Sequence, residues 1–309
     1  MREETTTAKA GTDAATTGNA LILEGGGYRG QFTAGVLDVL MEHGIYGFDS
    51  VWGVSAGALN AMHFRARQIG RGVRVVQAFR DDNRMMSVAS FLKTGNIAGN
   101  DFLYREVQDE IDPMDVETFN ASPMRMWAVA ADVDTGEPAY LEIRRLPDDI
   151  DRVIASASLP VVSNMVELDG HRYLDGGFGC SIPVGAALGV DDAAVPEGHM
   201  PAERALVVLT RERSYVRTSS YSLMGLAERR YADYPQFLEA MHDRAARYTH
   251  EQVLVSRLEQ EGRALVIAPP GPVNISTTER NGEKLLRLYV EGRQEALAHL
   301  EQIEAFLRG

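Results

Sequence analysis

Twice within its first 70 residues the chain carries an apolar strand-like run into a glycine-rich bend and then into a helix-compatible stretch. The first run is Leu21-Ile22-Leu23-Glu24, followed by Gly25-Gly26-Gly27-Tyr28-Arg29-Gly30. Apolar residues at Phe32, Val36, Leu37, Leu40 and Met41 then mark one face of a helix. The second run, 48–52, meets Gly53-Val54-Ser55-Ala56-Gly57 and a helical stretch over 56–69. Further strand candidates at 124–133, 139–144, 172–174, 205–210 and 264–268 alternate with helix candidates at 73–80, 103–112, 149–156, 235–261 and 281–308. Such alternation predicts a layered α/β fold with a mostly parallel central sheet. Both glycine bends then fall at the carboxyl ends of neighbouring strands, where such sheets host ligands.

A serine in the second bend sits on a sharp strand-to-helix turn, where small neighbours let the backbone bend and the hydroxyl stand clear. The helix that follows offers free N–H groups and partial positive charge at its first turn, which favour an oxyanion beside Ser55. Three successive glycines let the first bend aim N–H groups into one space, suited to a phosphate or a developing oxyanion. Gly25, Gly27 and Gly30 also fit the dinucleotide pattern G-x-G-x-x-G. That pattern expects an acidic residue at a strand end about 20 positions on. Asp49 lies at about that distance but precedes the next apolar run. No Gly-Lys-Ser/Thr closes a P-loop.

The chain also carries Leu174-Asp175-Gly176-Gly177. Alone, an aspartate before two glycines is an ordinary turn residue. In their order, Glu24 to Gly30, Gly53 to Gly57 and Asp175-Gly176-Gly177 resemble the three motifs of the patatin-like phospholipases. Residues 130–137 resemble that family's middle strand and turn, and 155–160 its Ser-rich, Pro-terminated segment before the aspartate. Ser181-Ile182-Pro183-Val184 fits bacterial members, and 267–296, with Arg287-Leu288-Tyr289 and Gly292, is similar to the tail of one bacterial branch.

The resemblance runs from about Asn19 to the C-terminus. It implies a three-layer α/β/α catalytic domain over 19–309, with a helical extension from about 211. It further implies a Ser–Asp dyad, with Ser55 as nucleophile and Asp175 as base. The N–H groups of Gly25, Gly26, Gly27 and Ala56 would form the oxyanion hole, and Arg29 would add positive charge or anchor an anionic head group. The implied activity is hydrolysis of phospholipid or lysophospholipid esters through an acyl-Ser55 intermediate, with no cofactor and no metal. Acyl transfer to an alcohol or thiol acceptor, and a non-catalytic lipid or nucleotide binder, are the alternatives.

The remaining chemistry-bearing residues read as structural. Seven histidines are present; His63 follows Ser55 by two helical turns and His171 comes shortly before Asp175, yet neither stands in a distinctive setting. Surface or packing roles are expected, with a Ser-His-Asp triad formally open because its members need not be sequence neighbours. Acid pairs at Asp81, Asp148 and Asp191, and Asp132-x-Asp134, read as helix starts and turns, since no closing Glu completes a Ca²⁺ loop. Phe79, Met85, Met86, Phe91 and Leu92 are core residues or the lining of an acyl channel. The single Cys180 can form no internal disulfide and is expected to pack.

A net charge of −13 argues against nucleic acid and gives no general attraction to anionic membranes. Residues 1–18 are rich in Thr and Ala, lack a secretory apolar block and read as a disordered tail. No run approaches the ~18 apolar residues needed to span a bilayer. A cytoplasmic protein is expected, meeting lipid or another ester substrate in places at a membrane surface; its oligomeric state is not encoded legibly. The basic, aromatic stretch over 211–230 reads as a solvated connection with one core-facing helix, or as a lid touching head groups.

Overall fold

The computed structural model describes residues 18–85, 88–218, 221–276 and 279–309. Among these, eight strands form one sheet: β1 (Asn19–Leu23), β2 (Ser50–Val54), β3 (Arg125–Asp132), β4 (Pro138–Glu142), β5 (Val166–Leu168), β6 (His171–Asp175), β7 (Arg204–Val208) and β8 (Ala264–Ile267). The order is β5-β6-β3-β2-β1-β7-β8, with β4 on the other flank of β3. The five strands β3, β2, β1, β7 and β8 run parallel, and β4, β5 and β6 attach antiparallel. The expected mostly parallel α/β architecture is therefore the one observed. The tail expected over 1–18 lies, apart from Gly18, outside the described residues.

Both faces of the central strands are covered. Leu21, Leu23, Val51, Leu206, Val208, Leu265 and Ile267 point into one core, while Ala20, Ile22, Trp52, Ala205, Val207, Ala264 and Val266 point into the other. Strands buried on both sides read as continuous apolar runs, which is why their sequences carry no polar alternation. On the first face lie α1 (Gly30–Glu42) and α2 (Ala56–Arg65), followed in sequence by α3 (Arg71–Phe79). The helix Gly282–Ala298 crosses α1 so closely that a Cβ on Gly35 would lie 2.1 Å from Tyr289 O, and one on Gly292 2.1 Å from Phe32 O. Only glycine permits that approach. The second face is covered by Val184–Leu188 and the 26-residue helix Pro235–Gln260.

Most departures from expectation are short elements. Helices Val88–Thr94, Val116–Ala121 and Val184–Leu188 span two turns or less, too few for a period to register. Met224–Arg230, which buries Met224 and Ala227, is a core-facing helix of the kind expected in 211–230. The stretch 281–308 is two helices, broken at His299. Strand β5 pairs β6 across an Asp169-Gly170 turn with both φ values positive, an Asp-Gly hairpin signal that sequence reading passed over.

Candidate active site

β2 ends at Val54 and α2 begins at Ala56, so Ser55 alone makes the turn, at φ 55° and ψ −120°. A residue with a side chain occupies such backbone at a cost of about 1–3 kcal/mol. The surrounding glycines hold it there. A Cβ on Gly53 would lie 2.5 Å from the Ala58 backbone, and one on Gly57 would lie 2.3 Å from Leu23 O. Helix α2 thus starts pressed against the strand it leaves and against the end of β1. The Ser55 N–H donates to Ser156 Oγ at 2.9 Å, and that hydroxyl donates to Val129 O at 2.5 Å.

Asp175 reaches Ser55 through sheet register. β2 pairs with β3 as far as Val54 opposite Val129; β6 then takes up the same edge of β3, with Asp175 opposite Ala130. The last residue of β6 is delivered one position past the end of β2, where Ser55 stands. Ser55 Oγ donates to Asp175 Oδ2 at 2.6 Å, and Oδ1 accepts the Gly177 N–H at 2.9 Å. Asp175 is 3% exposed. Burial raises its pKa above the ordinary carboxylate value, opposed by the Ser55 hydroxyl, the Gly177 N–H and the positive charge of Arg244.

The glycine loop lies directly against this pair. A Cβ on Gly25 would stand 3.2 Å from Ser55 Cβ. Buried Glu24 anchors the loop: its carboxylate accepts the Thr210 N–H at 2.6 Å and the Tyr248 hydroxyl at 2.8 Å. The Thr210 hydroxyl donates to Gly25 O at 2.8 Å, and the Arg29 N–H to Gly26 O at 3.2 Å. With those carbonyls engaged, the N–H groups of Gly25 and Gly26 meet no acceptor among the described residues. Gly25, Gly26 and Gly27 line the same small cavity as Ser55 and Asp175. Ala56 contributes the first N–H of α2, one of the donors a helix leaves free. Asp49 accepts the Gly18 N–H, at the end of β1 opposite the glycine loop, so it cannot serve a dinucleotide held there.

A family model described as patatin-like phospholipase matches residues 21–188, more than half the chain, including the glycine loop, the Ser55 turn and Asp175. The chain belongs to the patatin-like phospholipase family. Members of this family are in general hydrolases of lipid esters. A second model, for a domain of unknown function (DUF6363), matches residues 234–308. YjjU of Escherichia coli strain K12, described as an uncharacterized protein, is 32% identical over 178 residues, covering 53% of this chain and 47% of YjjU. The chain therefore spans about half the length of that relative. The crystal structure of VipD from Legionella pneumophila aligns with 92% of this chain and 67% of its own, at 12% identity and a TM-score of 0.44. No helix among the described residues is long and apolar enough to cross a membrane.

In this patatin-like chain Ser55 opens onto a cavity of about 160 Å³. Its walls include Val75, Val76, Met85, Leu103, Tyr104 and Val107. Of the apolar residues considered for a channel, Met85 alone among the described ones lines it. Phe79 instead packs edge-on against Phe102 at 5.3 Å, Leu92 is 81% exposed, and Met86 lies outside the described residues. His63, half-buried, also lines this cavity, a packing role of the kind expected. Its Nε2 lies 2.8 Å from Arg71 Nη1 and, since arginine only donates, accepts from it. Burial and Arg71 hold its pKa well below the ordinary value, which keeps the ring neutral. His171 turns away to Asp132, at 2.9 Å. Desolvation and the Glu251 carboxylate push the Cys180 thiol well above its ordinary pKa, the reverse of an activated nucleophile.

Three groups at the site escaped sequence reading. Ser156, inside the Ser-rich segment, carried a visible signal. Arg217 lies in the basic stretch over 211–230, which reads as a solvated connection or a lid, and nothing there singled it out. Arg244, on the long helix, carried no signal at all. Both arginines, with Arg29, line the cavity at Ser55 and Asp175.

Proposed function

We propose that this protein is a serine lipid acyl hydrolase in which Ser55 is the nucleophile and Asp175 the base, cleaving phospholipid or lysophospholipid esters. The observation that carries the reading is the 2.6 Å bond from Ser55 Oγ to a buried Asp175, made on a strained turn at the mouth of an apolar cavity. Ser55 Oγ attacks the ester carbonyl carbon as its proton passes to Asp175 Oδ2. A carboxylate in water is too weak a base for an alkanol; burial narrows that gap by raising the pKa of Asp175. The carbonyl oxygen becomes an oxyanion held by the N–H groups of the glycine loop and Ala56. One such donor is worth about 2.7–4 kcal/mol.

Collapse of the tetrahedral intermediate expels the alcohol, which takes the proton from Asp175, and leaves the acyl group on Ser55. Water, deprotonated by Asp175, then attacks the acyl carbon; the acyl–Oγ bond breaks, Ser55 takes the proton back from Asp175, and the fatty acid leaves. The acyl chain lies in the 160 Å³ cavity, and Arg29 supplies positive charge on the alcohol side. A fluorophosphonate probe tests the assignment. Labelling at Ser55, lost in Ser55→Ala together with turnover of a p-nitrophenyl ester, supports it; labelling elsewhere, or turnover retained in Ser55→Ala, refutes it.

A further inference from the structure

A second, smaller cavity of about 60 Å³ shares Ser55, Gly27 and Leu159 with the acyl cavity. Three arginines line it: Arg29 after the glycine loop, Arg217 from the stretch after β7, and Arg244 from the helix Pro235–Gln260. Two of them lie beyond residue 188, outside the patatin match. None forms an ion pair among the described residues. The Nε atoms of Arg29 and Arg217 are buried and meet no hydrogen-bond partner among the described residues. Arg244 Nε donates to Gly177 O at 2.7 Å, and its guanidinium lies 4.1 Å over the Phe178 ring. Arg217 stacks 4.6 Å over Tyr248.

The two carboxylates of the cavity are already engaged, Glu24 by Thr210 and Tyr248, and Asp175 by Ser55 and Gly177. Three cations thus face two occupied anions in a partly dehydrated space, an arrangement that favours entry of negative charge. The strain of that grouping is visible in Arg244, whose pKa burial and then the Arg217 charge push down to about 10. Guanidinium forks match the terminal oxygens of a phosphoryl group, which offers three acceptors where a carboxylate offers two. At about 60 Å³, against about 30 Å³ for one water in the liquid, the cavity is on the scale of a single compact polar group such as a phosphoryl.

We propose that Arg29, Arg217 and Arg244 form a subsite for a phosphoryl group on the alcohol side of the scissile ester. The preferred substrates are then esters of a phosphorylated alcohol bearing no cationic head group. The proposal rests on the hydrolase reading above, which sends the acyl chain into the apolar cavity and the alcohol into this one. A choline beyond the phosphate would set a fourth cation against the arginines, whereas a phosphomonoester adds a second negative charge instead.

The test compares kcat/KM of the full chain for hexanoyl glycerol 3-phosphate, hexanoyl glycerol and hexanoyl glycerophosphocholine. The phosphomonoester is expected to lead each of the others by about tenfold or more, the worth of a charge-assisted bond. Arg217→Gln should lower that ratio by about tenfold, and Arg217→Lys, which keeps the charge but not the fork, by less. If Arg217→Gln does not fold, a fall in the ratio in Arg217→Lys decides the point. Glycerol 3-phosphate should inhibit p-nitrophenyl butyrate turnover competitively, and more weakly in Arg217→Gln. Ser55-dependent turnover with no phosphate preference, or a ratio unmoved by both Arg217 variants, overturns the subsite and leaves the hydrolase reading standing. Inorganic phosphate inhibiting as well as glycerol 3-phosphate, again without preference, makes this a free-phosphate site and also overturns it. Absence of Ser55-dependent turnover of every ester removes the hydrolase reading and the proposal with it.

Discussion

Ser55 sits at φ 55° because Gly53 and Gly57 let α2 start hard against β1 and β2, and that claim has a stability signature. Ser55→Ala removes the hydroxyl and its bond to Asp175 but leaves a Cβ on the strained backbone. Ser55→Gly removes the hydroxyl and the Cβ together. Both variants cost Asp175 its donor, so that loss cancels between them. What remains is strain relief of about 1–3 kcal/mol, offset by about 0.5–1 kcal/mol for the extra freedom glycine has when unfolded. Ser55→Gly is therefore expected to be the more stable by about 1 kcal/mol. For a chain of 309 residues, at about 2.1 cal/mol/K of unfolding entropy per residue, that is about 1–2 °C in Tm. Paired thermal and urea melts resolve the difference, and neither variant should turn over an ester. Ser55→Ala equal to or more stable than Ser55→Gly would mean that the turn is unstrained and that the glycine framework does not impose it.

Asp175→Asn removes the base and a buried charge together, so ester turnover should fall about 10²–10⁴-fold while the Tm at pH 7 holds or rises; a near-native rate removes Asp175 from the mechanism. Glu251, buried against the Ser181 and Ile182 N–H groups, has its pKa pushed up to about 7, chiefly by desolvation. A carboxyl that titrates higher when folded stabilises most below its unfolded pKa of 4.5, and this contribution is lost as pH rises through 7, about 3 kcal/mol in all. Melts at pH 5 and pH 8 should thus show the protein less stable at pH 8, with the difference reduced in Glu251→Gln. Val107→Trp fills the acyl cavity, so kcat/KM should fall about tenfold more for a decanoyl than for an acetyl p-nitrophenyl ester; an equal fall would place the chain elsewhere. Tyr248→Phe leaves a buried Glu24 oxygen without its donor, at a cost of about 1–3 kcal/mol, and should lower kcat by loosening the glycine loop.

The fold was legible where apolar runs were long and the period unambiguous. Strands buried on both faces, such as Leu21 to Leu23, announce themselves, and so does the glycine bend after each. Two-turn helices and the three-residue β5 do not, because their formation is decided by the surface they land on. The pairing of Ser55 with Asp175 could be proposed from three short motifs, yet what brings the two residues together is a register between β6 and β3 that no motif states. Arg217 and Arg244 stayed hidden for a related reason. An arginine on a helix or in a polar loop has the same sequence appearance whether it faces water or a buried cavity, and only tertiary packing separates the two.

The family match stops at residue 188, yet the site does not. Thr210 and Tyr248 clamp Glu24 beneath the glycine loop, and β7 and β8 complete the sheet edge on which β1 depends. The helix Gly282–Ala298 locks α1, whose first residue follows that loop, through the Gly35–Gly292 crossing. The proposed reacting pair therefore comes from the first 175 residues, while much of what holds the glycine loop and two of the three arginines beside it come from the last hundred. A chain ending at residue 210 would keep Ser55 and Asp175 but lose Tyr248 and two arginines and expose the Ile22 and Val207 face of the sheet. The C-terminal part thus walls the site, and on the proposed hydrolase reading variation in it would alter which ester is chosen without touching Ser55 or Asp175.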